Sequence, residues 1–278
     1  SSMWEFLFAR ITRIYPLYWL VSAALLCVWL VRPDMVFSSF KSDPNIIKSF
    51  LLFPDIRDPL LAVGWTLIHE VGFYLVFALS LLLKPRMLLP FLAIWAGVLM
   101  LAYGFGLNDG GPLHTLLLSP LGLEFLAGAL AAWLFHKTGA KLAGLSLLLG
   151  LILWAVTLFV LISNDHTMLA GHMGRAVHFA FPGALVVYGL AGLKTTLPKW
   201  SQTLGDWSYA LYLTHVLTLT VLGRIWHTFA REGMLDNAVA LIVLTVGSII
   251  VAGLTYKLAE RPMLLFAKHM RGRLFPKL

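Results

Sequence analysis

The sequence predicts an all-α integral membrane protein, a polytopic bundle of about eight transmembrane helices, and three observations predict it. The first is composition: 59% of the residues are hydrophobic and 12% charged, against roughly 25% charged in soluble domains. A soluble globule of 278 residues cannot hide that much apolar surface, whereas a bilayer accepts it. The second is run length. Eight apolar stretches approach the roughly 20 residues that carry a helix across lipid with every backbone polar group paired inside it. The third is the distribution of basic residues. Counted over alternate loops, 14 of the 21 Lys and Arg fall on one side and 7 on the other, so the positive-inside rule makes both termini cytoplasmic. An even number of spans requires the same.

The runs cover residues 14–31, 60–83, 87–106, 114–136, 142–163, 174–193, 208–227 and 235–258. The first follows Arg10-Ile-Thr-Arg13 and reads Ile14-Tyr15-Pro16-Leu17-Tyr18-Trp19. Arginines three apart share a helix face, where two guanidinium forks can clamp one polyphosphate. The same residues also serve as a plain positive-inside anchor with an aromatic belt. Pro16 falls in the first turns, where its missing N–H costs little. Cys27 is the single cysteine, which leaves no disulfide and no cysteine metal site. The stretch 37–53 is short and interrupted by Lys41, Asp43, Pro44 and Lys48, which places it at the interface.

The second run carries Gly64-Trp65-Thr66-Leu67-Ile68-His69-Glu70-Val71-Gly72-Phe73-Tyr74. Glu70 shares a face with Phe73, Tyr74 and Phe77 and should point into the bundle. An ionisable group inside a span is costly and is a functional candidate by default. A buried structural Glu–Arg or Glu–His pair is the alternative. His172, Arg175 and His178 stand at the entry to the sixth run. Arg175 and His178 lie three apart on one face, as partners in a site or as a headgroup cation and a core histidine. Asp206 or Ser208 should cap the start of the seventh run. Ser208, Tyr212 and His215 then follow at i, i+4 and i+7, a polar stripe that suits either interhelical hydrogen bonding or the lining of a tunnel. Residues 1–258 form the transmembrane domain, and 259–278 a basic amphipathic tail lying on the cytoplasmic surface.

No phosphate-binding glycine loop, dinucleotide fingerprint, nucleophile elbow or His-Glu-x-x-His motif is present. The net charge of +8 is assigned to cytoplasmic loops and anionic membrane lipids rather than to nucleic acid.

Taken in order, these motifs resemble the acyltransferase-3 family of membrane O-acyltransferases. Arg10-x-x-Arg13 with the Ile14–Trp19 hexapeptide is similar to its first signature. Gly64-Trp65-Thr66-Leu67 with Glu70 and Phe73-Tyr74 is similar to its second, and Leu123-Glu124-Phe125-Leu126-Ala127-Gly128 to its third. Leu204-Gly205 through Ser208-Tyr209 to Leu211-Tyr212-Leu213-Thr214-His215 resembles the fourth, and Tyr256 with Glu260-Arg261-Pro262 the last. The likeness runs from about residue 8 to 263. The Gly-Trp-Thr-Leu form, and Arg175 leading into Phe181-Pro182-Gly183-Ala184, look most like the exopolysaccharide-acetylating members.

The resemblance implies an enzyme of the bacterial inner membrane that moves acetyl from cytoplasmic acetyl-CoA to a hydroxyl of an extracytoplasmic polysaccharide or glycolipid, without a metal. Arg10 and Arg13 would hold the donor phosphates. Glu70, His69 and His215 are the catalytic candidates, with Trp65, Tyr74, Arg175, Ser208 and Tyr212 lining the tunnel. The family pattern does not require histidine at position 69, so His69 enters on its position beside Glu70. The family core has ten helices. Its first two, with the histidine regarded as catalytic, have no counterpart here, which implies a fragment or a short form. Two other classes remain open: a transporter with Glu70, Arg175 and His215 along its path, and an inactive truncated scaffold.

Overall fold

The computed structural model describes residues 2–36, 43–163, 172–193, 198–231 and 233–276. Lys41, Lys194 and Lys277, which enter the charge count, and the side chain of His172 lie outside the described residues. Among the described residues the ordered backbone is helical and contains no strand. The α-helices are α1 Met3–Val31, α2 Pro33–Val36, α3 Ile46–Leu51, α4 Gly64–Ser80, α5 Leu88–Gly104, α6 Pro112–Leu117, α7 Gly122–Thr138, α8 Ala143–Ser163, α9 His172–Gly192, α10 Lys199–His227, α11 Met234–Thr255 and α12 Arg261–Leu274.

Among the described residues, five stretches are long and apolar enough to cross a membrane: Met3–Val31, Pro85–Gly104, Pro112–Thr138, Ala143–Ser163 and Met234–Leu274. Helix α8 exposes Leu145, Leu148, Leu151, Ile152 and Phe159 along its length, an apolar circumference that suits lipid. The chain is a polytopic, all-α membrane protein. Helices α4, α9 and α10 carry the other three predicted runs and are not among the five; α4 has 17 residues.

Several boundaries differ from expectation, each for a local reason. Helix α1 begins eleven residues before the predicted run, because Ser2 caps it by accepting the Glu5 N–H at 3.2 Å. Helix α10 begins at Lys199 behind Pro198, a residue that favours helix starts. Asp206 and Ser208 are therefore interior residues, and neither caps the helix. The fourth run is two helices, α6 and α7. Pro120 between them has no N–H and disfavours helical geometry at Ser119.

The chain forms two compact units, residues 1–68 with 197–278 and residues 69–196. In the first, α11 continues into α12 through a π-helical turn, Tyr256–Glu260. Helix α12 then lies along the first turns of α1. Arg271 donates to Glu5 Oε1 from Nε at 3.0 Å and from Nη2 at 2.7 Å, and Phe8 meets Phe275 at 5.9 Å between centroids. The amphipathic tail thus packs on α1 at least as far as Phe275.

In the second unit α8 and α9 pack almost backbone to backbone. A Cβ at Gly189 would lie 2.7 Å from the Leu147 nitrogen, and one at Gly150 would lie 2.9 Å from the Val186 nitrogen. Glycine is required by this close approach, as at other tight membrane-helix crossings. Leu92, Leu99 and Leu126 form the buried core between α5 and α7.

Candidate active site

Arg10 and Arg13 both lie on α1 in the first unit, but their surroundings differ. Arg10 is exposed, with its guanidinium 5.4 Å from the Phe6 ring. Arg13 forms an ion pair with Glu260, Nη1 to Oε1 at 2.8 Å; its side chain is 36% exposed and that of Glu260 only 2%. The π turn inserts an extra residue just ahead of Pro262 and ends on Glu260. Such turns recur at functional sites. The Arg13 guanidinium also lies 5.5 Å from the Tyr209 ring, and the Tyr209 hydroxyl donates to the Ile14 carbonyl at 2.7 Å. Three sequence signatures, those around residues 10–19, 204–215 and 256–262, therefore meet at one cluster.

One turn further along α1, three aromatic side chains close the end of α3. The hydroxyls of Tyr15 and Tyr18 donate to the Leu51 and Ser49 carbonyls at 2.9 and 2.7 Å, and Trp19 Nε1 donates to the Phe50 carbonyl at 2.8 Å. A helix leaves its last carbonyls without intrahelical partners, and here α1 supplies the donors. The Ser49 hydroxyl in turn accepts the Leu60 N–H at 3.0 Å. A Cβ at Gly64 would lie 3.2 Å from the Tyr18 hydroxyl, so the start of α4 reaches the same place. The described part of the stretch 37–53, which was expected at the interface, lies beside the middle of α1, to which its helix end is hydrogen-bonded.

On α10 the predicted stripe divides. The Tyr212 hydroxyl donates to the Val63 carbonyl at 2.8 Å and contacts the Thr66 hydroxyl. His215 Nδ1 lies 2.8 Å from the Tyr212 carbonyl and 3.2 Å from that of Leu211. Carbonyls only accept, so Nδ1 carries the proton and Nε2 is the basic nitrogen. The His215 and Tyr212 rings are 6.0 Å apart. Ser208 is exposed, and Trp65 is 36% exposed at the start of α4.

The second unit holds the remaining candidates. The Tyr74 hydroxyl donates to Glu70 Oε1, one helical turn away. His69 lines a small cavity of about 20 Å³ with Ser119, Phe73, Trp95 and Phe125, room for about one water. Phe73 stacks on Phe125 at 4.2 Å and on Trp95 at 5.4 Å, so the aromatic face predicted beside Glu70 is a packed cluster. Arg175 Nε lies 3.5 Å from Glu124 Oε1. His178 Nδ1 donates to the Gly174 carbonyl at 2.7 Å, the ordinary bond of a helix-borne histidine. Glu124 and Glu260 are the acids that sequence reasoning passed over as sites. Each stood inside a quoted motif, and the signal was an acid in an apolar helix. Among the described residues no three His, Cys, Asp or Glu side chains converge as a metal site.

These motifs and helices define a membrane-embedded transferase, and comparison with known proteins gives its family. The profile of the Acyltransferase domain family, Acyl_transf_3, matches residues 1–257. The chain belongs to this family and is an acyltransferase. It is 26% identical over 283 aligned residues to the exopolysaccharide production protein ExoZ of Rhizobium meliloti (strain 1021), covering 94% of this chain and 81% of that protein. It is 26% identical over 240 residues to the putative acetyltransferase ORF330 of Acidianus two-tailed virus, covering 81% of this chain and 68% of the relative. No solved structure matches the chain.

Proposed function

We propose that this acyltransferase moves an acetyl group from acetyl-CoA, on the cytoplasmic side of a bacterial inner membrane, to a hydroxyl of a polysaccharide or glycolipid on the outer side. The observation that carries the reading is likeness along nearly the whole chain to a protein named for exopolysaccharide production, within a family of acyltransferases. The relative named as a putative acetyltransferase supports acetyl as the group moved.

Arg10 and Arg13 are the donor-phosphate residues in this reading. They stand on the basic side of the charge count, and Glu260 fixes one guanidinium of the pair in place. A guanidinium held by a carboxylate is pre-oriented for further charge-assisted hydrogen bonds. His215, with its basic Nε2, is the general-base candidate of the first unit. Glu70 is the candidate of the second, its carboxylate oriented by Tyr74. Either would take the proton from the acceptor hydroxyl as its oxygen bonds to the acyl carbon and the CoA thiolate leaves. Trp65, Tyr212, Ser208 and Arg175 are substrate-contact candidates, and His69 a further acid–base candidate. The reading is tested with membranes from producing cells, radiolabelled acetyl-CoA and the cell's polysaccharide. Base-labile label in the polysaccharide, lost in the Arg10→Ala/Arg13→Ala variant, is expected.

A further inference from the structure

We infer that the turn between α10 and α11 carries a saccharide-binding subsite, which grips the acceptor polysaccharide at a distance from the reacting hydroxyl. Its ligand and its membrane face rest on the proposed transfer to a polysaccharide on the outer side.

The starting point is a cleft of about 590 Å³ between the last turn of α10 and the first turns of α11, lined among others by Trp226, His227, Arg231, Asp236 and Asn237. Clefts that hold small ligands span roughly 300–1,000 Å³. Local sequence builds this one. Gly233 takes a φ of 151°, which glycine adopts without a steric penalty, and α11 starts on it. The Asn237 N–H donates to the Gly233 carbonyl at 3.2 Å. Asp236 thereby stands in the first turn of α11, where a carboxylate suits the helix dipole. Trp226 Nε1 donates to Asp236 Oδ2 at 3.1 Å, and Phe229 meets the Trp226 ring edge-on at 5.2 Å. The indole is thus held from two sides and half-buried, whereas His227, Arg231 and Asn237 are exposed.

The lining selects a polyol. Saccharide hydroxyls both donate and accept, and the cleft offers both: Arg231 only donates, Asp236 only accepts, and Asn237 does either. The fixed indole adds a flat apolar face for a sugar ring. A phosphate takes donors alone and would meet the Asp236 carboxylate, so a lipid headgroup is the poorer match.

Position follows from α10. Tyr209, bonded to Ile14 and beside Arg13, precedes His227 by eighteen residues of one helix, roughly 27 Å at 1.5 Å per residue. A bilayer's hydrocarbon is about 30 Å thick. The cleft therefore stands about a membrane's thickness along α10 from the arginine pair, at the end that the charge count assigns to the outer side. His215, twelve residues before His227, is roughly 18 Å away. One sugar cannot span that gap, so the subsite holds a distant unit of the same chain and serves polymer binding rather than transfer.

The test uses purified protein in detergent, with both faces open, excess acetyl-CoA and a concentration series of the cell's polysaccharide stripped of O-acyl groups by mild alkali. Arg231→Ala/Asn237→Ala should raise the KM for polysaccharide about tenfold or more, the worth of one lost hydrogen bond to a charged group. Its kcat, KM for acetyl-CoA and Tm should stay close to the parent's, both side chains being exposed. An unchanged KM for polysaccharide overturns the subsite. Equilibrium binding of the stripped polysaccharide, without acetyl-CoA, is the second measurement. Asp236→Asn joins it, because that variant keeps an acceptor for Trp226 while losing the charge. Weaker binding in both variants supports the subsite even if the parent transfers no acyl group, a result that counts against the acyl-transfer reading alone. No binding by the parent overturns the subsite. So does unchanged polysaccharide binding in variants that lose a Tm shift by phosphatidylglycerol, which would assign the cleft to headgroups.

Discussion

Arg13 and Glu260, 247 positions apart in the chain, form an ion pair of 2.8 Å in which the carboxylate is nearly sealed from solvent and the guanidinium is not. The two sides of this pair respond differently to mutation.

Arg13→Ala leaves an uncompensated carboxylate in a buried site, and breaking a buried pair in this way costs about 3 kcal/mol. Glu260→Gln leaves a guanidinium already one-third exposed, able to turn to solvent, and should cost about 1 kcal/mol or less. The double variant should recover part of the Arg13→Ala loss. Thermal melts of purified protein in detergent, without donor, check the order. Equal losses in the two single variants would show that the pair does not stabilise the fold as described.

The aromatic donors on α1 make a second ranking. Tyr18 is fully buried, so Tyr18→Phe should cost about 1 kcal/mol, the usual net worth of one buried hydrogen bond. Tyr15→Phe and Trp19→Phe, on more exposed side chains, should cost less. Limited proteolysis within residues 53–60 gives an independent readout, with faster cleavage in Tyr18→Phe than in the other two.

At the α8–α9 crossing, Gly189→Ala and Gly150→Ala place a methyl against backbone atoms that cannot rotate away. Overpacking of this kind costs about 1–3 kcal/mol. Gly97→Ala and Gly205→Ala meet nothing within 4 Å and sit inside helices, where alanine is favoured by up to about 1 kcal/mol. Melting temperatures should therefore fall for the first pair and hold or rise for the second.

His215→Ala should lower acylation by about 10²-fold or more, in the range of general acid–base catalysis. Its melting temperature should stay close to that of the parent, because the hydrogen bonds of His215 run to its own helix's carbonyls. A large loss of stability with proportionate loss of activity would reduce His215 to a packing residue.

These residues also mark how far sequence reading reaches. Composition and run length were enough for a helical membrane protein, because lipid demands apolar length whatever the tertiary contacts. The Arg10–Arg13 spacing placed both residues on α1, but nothing local could pair Arg13 with Glu260, since that contact joins helices at opposite ends of the chain. Asp206 and Ser208 looked like caps because both residue types favour that position, yet the helix starts upstream at Lys199, behind Pro198. Ser119-Pro120 was a visible breaker inside a run otherwise read as one span. The packing of the stretch around Lys48 on α1 was not legible locally, because it rests on Tyr15, Tyr18 and Trp19 donating to carbonyls at the end of α3.

The central claim is acyl transfer from acetyl-CoA, and transfer of labelled acetate tests it most directly. Membranes containing the protein, given radiolabelled acetyl-CoA, should incorporate base-labile acetate into polysaccharide. Glu70→Gln and the Arg10→Ala/Arg13→Ala variant, produced at equal levels, should incorporate at least tenfold less. Incorporation at parental level in both variants would contradict the site, and no incorporation by the parent, with no binding of acetyl-CoA to the purified protein, would contradict the donor.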